Sequence, residues 1–124
     1  MILKLQYPVK IFGVTFAIGR KIGFLFTNLQ MFNFRENTGV TDSKQMKEWI
    51  EKNGNSKFAN EMLYAAAQAH CMMTKTKENF TKENLLKAIS MSSEEVQERL
   101  MKEWDKSIDK PTESDKKKVV VKKR

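Results

Sequence analysis

Residues 12–26, FGVTFAIGRKIGFLF, decide how this chain folds. The stretch holds four phenylalanines, three glycines and the basic pair Arg20 and Lys21, with no acid. Three readings compete for it: a membrane span, a core helix, or a surface that awaits a partner. A spanning helix needs about 20 predominantly apolar residues. Lys10, Arg20 and Lys21 interrupt every window of that length, so the stretch is not expected to span a membrane. The longest uncharged run before Arg20, residues 11–19, is short, contains Thr15 and precedes no small-residue cleavage pattern, which argues against a signal peptide.

The spacing predicts a helix over residues 14–32. Val14, Ile18, Ile22, Leu25, Leu29 and Phe32 recur at steps of three and four, and Phe12, Phe16, Gly19, Gly23 and Phe26 make a second row. Two rows give an apolar surface wider than a surface helix needs. Such a helix is expected to be the hydrophobic hub of the fold, or to offer one row to a partner. Gly19 and Gly23 have the small-xxx-small spacing that lets two backbones approach closely. Each glycine costs about 1 kcal/mol against alanine inside a helix, so a close neighbour or a bend is implied. Inside the chain that neighbour is an alanine-rich third helix; outside it is a client or a second copy. The expected client-binding or self-association surface is Phe12, Phe16, Ile22, Phe26 and Leu29, rimmed by Arg20 and Lys21.

Upstream, residues 2–7 (ILKLQY) alternate apolar and polar, the period of a half-buried strand. Pro8 suggests an edge or a turn, with residues 9–12 (VKIF) returning as the second arm of a small hairpin. Downstream, residues 33–42 (NFRENTGVTD) read as a polar loop. Asp42 and Gln45 have capping-box spacing and open a helix with Met46, Trp49 and Ile50 inside. Gly54 suits a left-handed cap at its end. Ser56 is expected to cap a third helix whose inner face carries Phe58, Met62, Ala65, Ala66, Ala69 and Met73. Thr81 caps a short fourth helix with Leu85, Leu86 and Ile89. Ser92 and Glu95 form a second capping box, opening a last helix through Val96, Leu100, Trp104 and Ile108. The expected fold is mainly α: four to five helices behind a short N-terminal hairpin or strand, one compact domain over residues 1–108, and a flexible lysine-rich tail over 109–124.

Charge divides the chain in the same way. Of its 124 residues, the first 35 hold five bases and no acid, residues 36–108 hold 11 bases and 12 acids, and residues 109–124 hold seven bases and three acids. Basic ends around a balanced body attract acidic partners, nucleic acid or anionic lipid. In the tail those bases include Lys116, Lys117, Lys118, Lys122, Lys123 and Arg124. Most bases in the chain are lysine, which suits unspecific attraction to phosphate better than bidentate reading of bases. None of the later helices carries a net charge above +1. Nucleic-acid binding through the basic ends is therefore the second reading.

Catalytic chemistry finds little to stand on. The single histidine, His70, neighbours the single cysteine, Cys71, and adjacent helix positions project about 100° apart. One cysteine excludes an internal disulfide and a thiolate metal cluster. Carboxylates such as Glu94 and Glu98 fit solvated helix faces. There is no glycine-rich phosphate loop and no metal-ligand spacing. The sequence therefore implies no catalytic residue, no metal and no cofactor. Eight methionines and eight phenylalanines instead supply adaptable apolar surface.

The layout resembles the small tail assembly chaperones of long-tailed bacteriophages. The resemblance rests on the strand-like start and FGVTF at Phe12 and Gly13, the small-residue run Tyr64 to Ala69, and FTKENLLKAISMSSEEVQERLMKEW, with its capped segment Ser92 to Trp104; it covers residues 2–108. It implies a non-enzymatic protein of the host cytoplasm that binds the long helical tape measure protein before the tail tube forms, then leaves. It further implies that some members have a longer form made by ribosomal frameshifting. The lysine-rich tail departs from that pattern. A third reading is a structural component of a particle, such as a head–tail connector.

Overall fold

A computed structural model describes residues 1–107 of the chain. A two-stranded antiparallel hairpin, β1 (Ile2–Ile11) and β2 (Val14–Gly23), precedes five helices: α1 (Asn28–Thr38), α2 (Ser43–Asn53), α3 (Asn55–Thr74), α4 (Lys82–Ser90) and α5 (Glu94–Ser107). The mainly α architecture with an N-terminal hairpin is as the sequence predicts. Ile108 and the lysine-rich segment 109–124 lie outside the described residues.

The helix expected over residues 14–32 is not formed. Residues 14–23 are the second strand of the hairpin, and a separate helix starts at Asn28. The physical reason is a property of even spacing. A pattern that repeats every two residues also repeats every four, so Val14, Phe16, Ile18 and Ile22 satisfy a strand and imitate a helix row. Their β-branched and aromatic side chains favour the pleated alternative. Phe12 and Gly13 occupy the two turn positions, with φ of 50° and 78°. Positive φ at both positions is the signature of the tight turn that matches strand twist. Phe12-Gly13 is thus a hairpin turn, not the start of a helix, and this removes one feature on which the phage resemblance rested. Nor do residues 9–12 return as a strand: β1 continues through Pro8, which pairs with Ala17. A two-stranded ribbon leaves each strand a free edge, where proline is tolerated.

The hub of the fold is α3 rather than the first apolar stretch. Its alanines 65, 66, 67 and 69 are fully buried, and small side chains let neighbours come close on both flanks. One core gathers Leu3, Leu5, Tyr7, Ile22 and Phe24 of the hairpin end against Leu63, Ala66, Phe80, Leu85 and Leu100. The other gathers Phe34, Val40, Met62, Ala65 and Trp104, with Trp49 and Phe58 alongside. There the ring of Phe34 meets Trp49 and Phe58 edge-on, both at 5.4 Å. Helix α5 ties the two together, placing Leu100 in the first and Trp104 in the second.

Helix α1 lies where a polar loop was expected, over residues 33–38. Its inner face is unusual: Gln30 and Asn33 are buried beside Phe34. The Gln30 amide donates to the Met62 carbonyl at 3.0 Å and the Asn33 amide to the Ala65 carbonyl at 3.2 Å. The Leu25 amide donates to the Ala66 carbonyl at 3.0 Å. Each carbonyl of α3 has a second lone pair to accept such a bond, and the alanines leave room for it. Burial of a polar group is tolerated when it is paired in this way.

Asp42 and Thr81 cap α2 and α4 as expected, accepting from the Gln45 and Asn84 amides. Gly54 ends α2 as expected, its amide donating to the Ile50 carbonyl with a positive φ of 91°, although its ψ of 161° is not that of a left-handed helical cap. Two other expected caps fall elsewhere: Ser56 lies inside the first turn of α3, which follows Gly54 directly and has no side-chain cap. Ser93, not Ser92, accepts from the Val96 amide at the start of α5, while the Ser92 hydroxyl donates to the Ile89 carbonyl.

Candidate functional site

The ladder places Leu3, Leu5, Tyr7, Val9 and Ile11 opposite Ile22, Arg20, Ile18, Phe16 and Val14. Residues directly opposite in an antiparallel pair share a face, so these ten side chains line one side of the ribbon. At the open end of the hairpin, Leu3, Leu5, Tyr7 and Ile22 are buried under the helices. Towards the turn the body falls away, and every residue from Lys10 to Gly19 is exposed. The same face that is core at one end is therefore bare at the other, through Ile11, Val14, Phe16 and Ile18, with Val9 half-buried between. Phe12 at the tip is fully exposed.

The ribbon is clamped where it leaves the body. The Arg20 guanidinium lies 4.2 Å above the Tyr7 ring and donates to the Asn79 carbonyl at 2.6 Å. The Asn79 amide donates to the Lys21 carbonyl at 3.3 Å, and the Thr81 backbone amide donates to the Tyr7 hydroxyl at 2.8 Å. Three of these contacts join β1 and β2 to the segment between α3 and α4, and the fourth joins the two strands to each other. Beside them is an open cavity of about 380 Å³ lined by Tyr7, Val9, Lys10, Arg20, Phe80 and Asn84, among others. It forms the inner corner between the overhanging ribbon and the start of α4.

The seven residues expected to form one surface are dispersed. Phe12 and Phe16 stand exposed on the overhang. Arg20 is spent on the clamp, and Lys21 is exposed on the opposite face, directly across from Lys4. Ile22 is buried in the core. Phe26 and Leu29 are half-buried beyond the ribbon, Phe26 stacking on Phe24 at 6.4 Å. The structure therefore sets Phe16 on one face with Val9, Ile11, Val14 and Ile18, and with Ile22 at the buried end of that face, while Phe12 stands at the tip and Phe26 and Leu29 lie beyond the ribbon. The signal that identifies this set is parity: odd positions on β1 and even positions on β2, counted from a Phe-Gly turn.

No protein-family model, no curated protein and no solved structure matches the chain.

The groups that could do chemistry have structural partners. His70 packs its ring on the backbone of Gly23, where an added Cβ would lie within 2.3 Å of it. This close approach to α3 is what the glycine serves, and the neighbour is inside the chain. Cys71 is buried, and burial pushes its thiol above the ordinary value; Glu78 adds to this and a hydrogen bond with Thr76 opposes it. Glu61 is buried and paired with Lys82, with one carboxylate oxygen lacking a partner. Among the described residues no three His, Cys, Asp or Glu side chains gather as metal ligands, and no helix is long and apolar enough to cross a membrane.

Proposed function

We propose that this chain is a non-enzymatic binding protein that holds an apolar segment of a protein client against its overhanging hairpin. Its role is that of a tail assembly chaperone, with the tape measure protein as client, as the resemblance implies. The observation that carries the reading is the apolar face of the ribbon, buried at one end, crossed by Arg20, and bare from Ile11 to Ile18. Exposing such a face in water is unfavourable and marks interaction sites. The clamp at Arg20 and Tyr7 holds the face at a fixed angle, which lowers the ordering cost of binding. The chaperone would leave before the particle is complete.

Co-expression with a tape measure protein tests this. The expected result is a soluble complex that Phe16→Ser with Val14→Ser abolishes while the helical circular-dichroism spectrum is kept. A complex that survives both substitutions overturns the assignment of the face. One observation favours nucleic acid as a second reading: Lys4 and Lys21 stand directly opposite each other on the outer face, a repulsive pair that a phosphate would relieve. Binding to duplex or single-stranded DNA that falls steeply with salt is the expected sign of that reading, and no binding at low salt ends it.

A further inference from the structure

We infer that two copies of this chain pair through the outer edge of β2, strand against strand, about a twofold axis at Ala17. The inference goes beyond the client reading and does not rest on it, because it uses the backbone edge of the ribbon rather than its apolar face. It is carried by the phase of the ladder, the difference between the two edges, and the self-complementarity of β2.

The phase follows from the open end of the hairpin. The Phe24 amide donates to the Met1 carbonyl at 2.7 Å, and the Met1 ammonium donates to the Phe24 carbonyl at 3.2 Å. Met1 and Phe24 are thus a hydrogen-bonded pair, and such pairs alternate with non-hydrogen-bonded ones along an antiparallel ladder. The register runs unbroken from Ile2 and Gly23 to Ile11 and Val14. Lys4, Gln6, Pro8 and Lys10 of β1 therefore turn their backbone groups outward, as do Thr15, Ala17, Gly19 and Lys21 of β2. Lys21 fits this phase, since its carbonyl accepts the Asn79 side-chain amide.

The two edges differ. The β1 edge carries Pro8, which has no amide to donate, between Lys4 and Lys10. Proline and lysine are the residues that blunt an edge against further pairing. The β2 edge carries Thr15, Ala17 and Gly19, which are small, uncharged and exposed. Among the described residues their backbones bond to no other element. A fixed, unpaired and unguarded edge is a template for another strand.

A second copy fits this edge because β2 complements itself. A twofold axis at Ala17 sets Ala17 against Ala17 and Thr15 against Gly19, so the outward amides and carbonyls of all three residues are paired. On the apolar side Phe16 of each copy lies beside Ile18 of the other, a favourable aromatic and β-branched pair. Lys21 falls opposite Gly13 of the turn, so no base faces a base across the axis. The strands run in opposite directions, which places each helical body beyond the other copy's tip. The product is a four-stranded sheet in the order β1-β2-β2-β1, whereas a lone two-stranded ribbon is marginal in water. Its apolar face is doubled in width and not covered, so a client still has access.

The test is sedimentation of the full chain over a range of concentrations. The expected result is a mass that rises toward twice that of the monomer. Ala17→Pro removes the central outward amide, and Ala17→Lys sets two like charges against each other across the axis; both should keep the chain monomeric, whereas Gln6→Lys on the β1 edge should not. In a Cys71→Ala background, Ala17→Cys should oxidise to a covalent dimer, because opposed Cα atoms in a hydrogen-bonded pair lie about 5.5 Å apart, within reach of a disulfide. Thr15→Cys should not, since the two Thr15 positions are offset by roughly 13 Å along the strands. A chain that stays monomeric up to ~1 mM overturns the inference. A dimer that survives both Ala17→Pro and Ala17→Lys, or that cross-links at Thr15→Cys as readily as at Ala17→Cys, overturns the edge and its register. Client capture in co-expression is a separate readout, so loss of the dimer and loss of the client are told apart.

Discussion

Arg20 lies over the ring of Tyr7 at 4.2 Å, and this pair marks the point where the hairpin stops being core and becomes surface. On one side of it Leu5 and Ile22 are almost fully buried; on the other Phe16 and Val14 are about half exposed. Arg20 also donates to Asn79, so one side chain ties the ribbon both to its partner strand and to the segment before α4. An exposed cation–π contact contributes about 0.5–1 kcal/mol and a hydrogen bond from a charged donor somewhat more. Arg20→Ala is expected to lower stability by about 1–2 kcal/mol in urea unfolding. It should also raise amide exchange in the ribbon before α3 is affected. Uniform loss of protection across ribbon and α3 would mean that the pair is not a local clamp.

Gly23 and Gly19 should respond differently to alanine. A Cβ at Gly23 would lie within 2.4 Å of three atoms of the His70 ring, whereas at Gly19 the close atom is Cε of Lys4, the far end of a flexible chain. An imidazole packed on α3 cannot move aside without disturbing its own helix. Gly23→Ala is expected to destabilise by about 1–3 kcal/mol, the usual cost of overpacking, and Gly19→Ala by less than 1. His70→Ala in the Gly23→Ala background should restore much of the loss. A double-mutant cycle with no coupling would show that the ring is not the obstacle.

These two glycines also show what the sequence could reveal. Their spacing was legible and so was the inference of a close neighbour, which for Gly23 is His70 on α3 and for Gly19 only the flexible end of Lys4. The element carrying them was not, because a two-residue period contains every four-residue repeat. Helix α1 was hidden for a different reason: its buried face is Gln30 and Asn33, which no hydrophobic pattern marks. Helices α2 to α5 have apolar inner faces, and Asp42 and Thr81 cap two of them, so their periodicity was readable. For the site, Phe12 and Phe16 were visible as excess aromatics. Val9, Ile11, Val14 and Ile18 become visible only once the register is set by the Phe12-Gly13 turn.

The boundary at Arg20 separates two kinds of apolar residue on one face. Ile22→Ala removes a buried side chain from the first core and is expected to cost about 2–4 kcal/mol. Phe12→Ser and Phe16→Ser act where solvent already reaches and are expected to stay within about 0.5 kcal/mol. Self-association on concentration should fall in the two serine variants, since the bare face is smaller. A large loss of stability in Phe16→Ser would place that ring in a packed environment and contradict the overhang.

Glu61 is buried, and the Lys82 ammonium that pairs with it lies 5.7 Å from the centre of the Tyr64 ring. Lys82 is itself partly exposed, so solvent screens the pair and the full cost of breaking a buried bridge does not apply. Lys82→Met is expected to destabilise by about 1–2 kcal/mol, because it strands the Glu61 carboxylate. Glu61→Gln combined with Lys82→Met should recover part of that loss, since a neutral amide is cheaper to bury than an unpaired charge. Additive losses in the two single variants would show that the partners are energetically independent.

Alkaline pH offers a last test of the packing around α3. Burial raises the Tyr64 hydroxyl above its ordinary value, with Glu78 and Glu61 adding to it, and burial raises the Cys71 thiol likewise. Both groups are neutral when protonated, so the folded state keeps protons that the unfolded chain has already released. The unfolded state then binds fewer protons, and stability falls as pH rises. The loss should begin near the ordinary thiol range, about pH 8.5, and deepen through the ordinary tyrosine range, about pH 10. Unfolding midpoints measured from about pH 8 upward should decline, and the decline should be shallower in Tyr64→Phe and Cys71→Ala than in the parent chain. The difference between the slopes of the parent chain and of each variant reports on the Tyr64 hydroxyl and the Cys71 thiol. Parallel slopes would mean that neither group is protected by the fold.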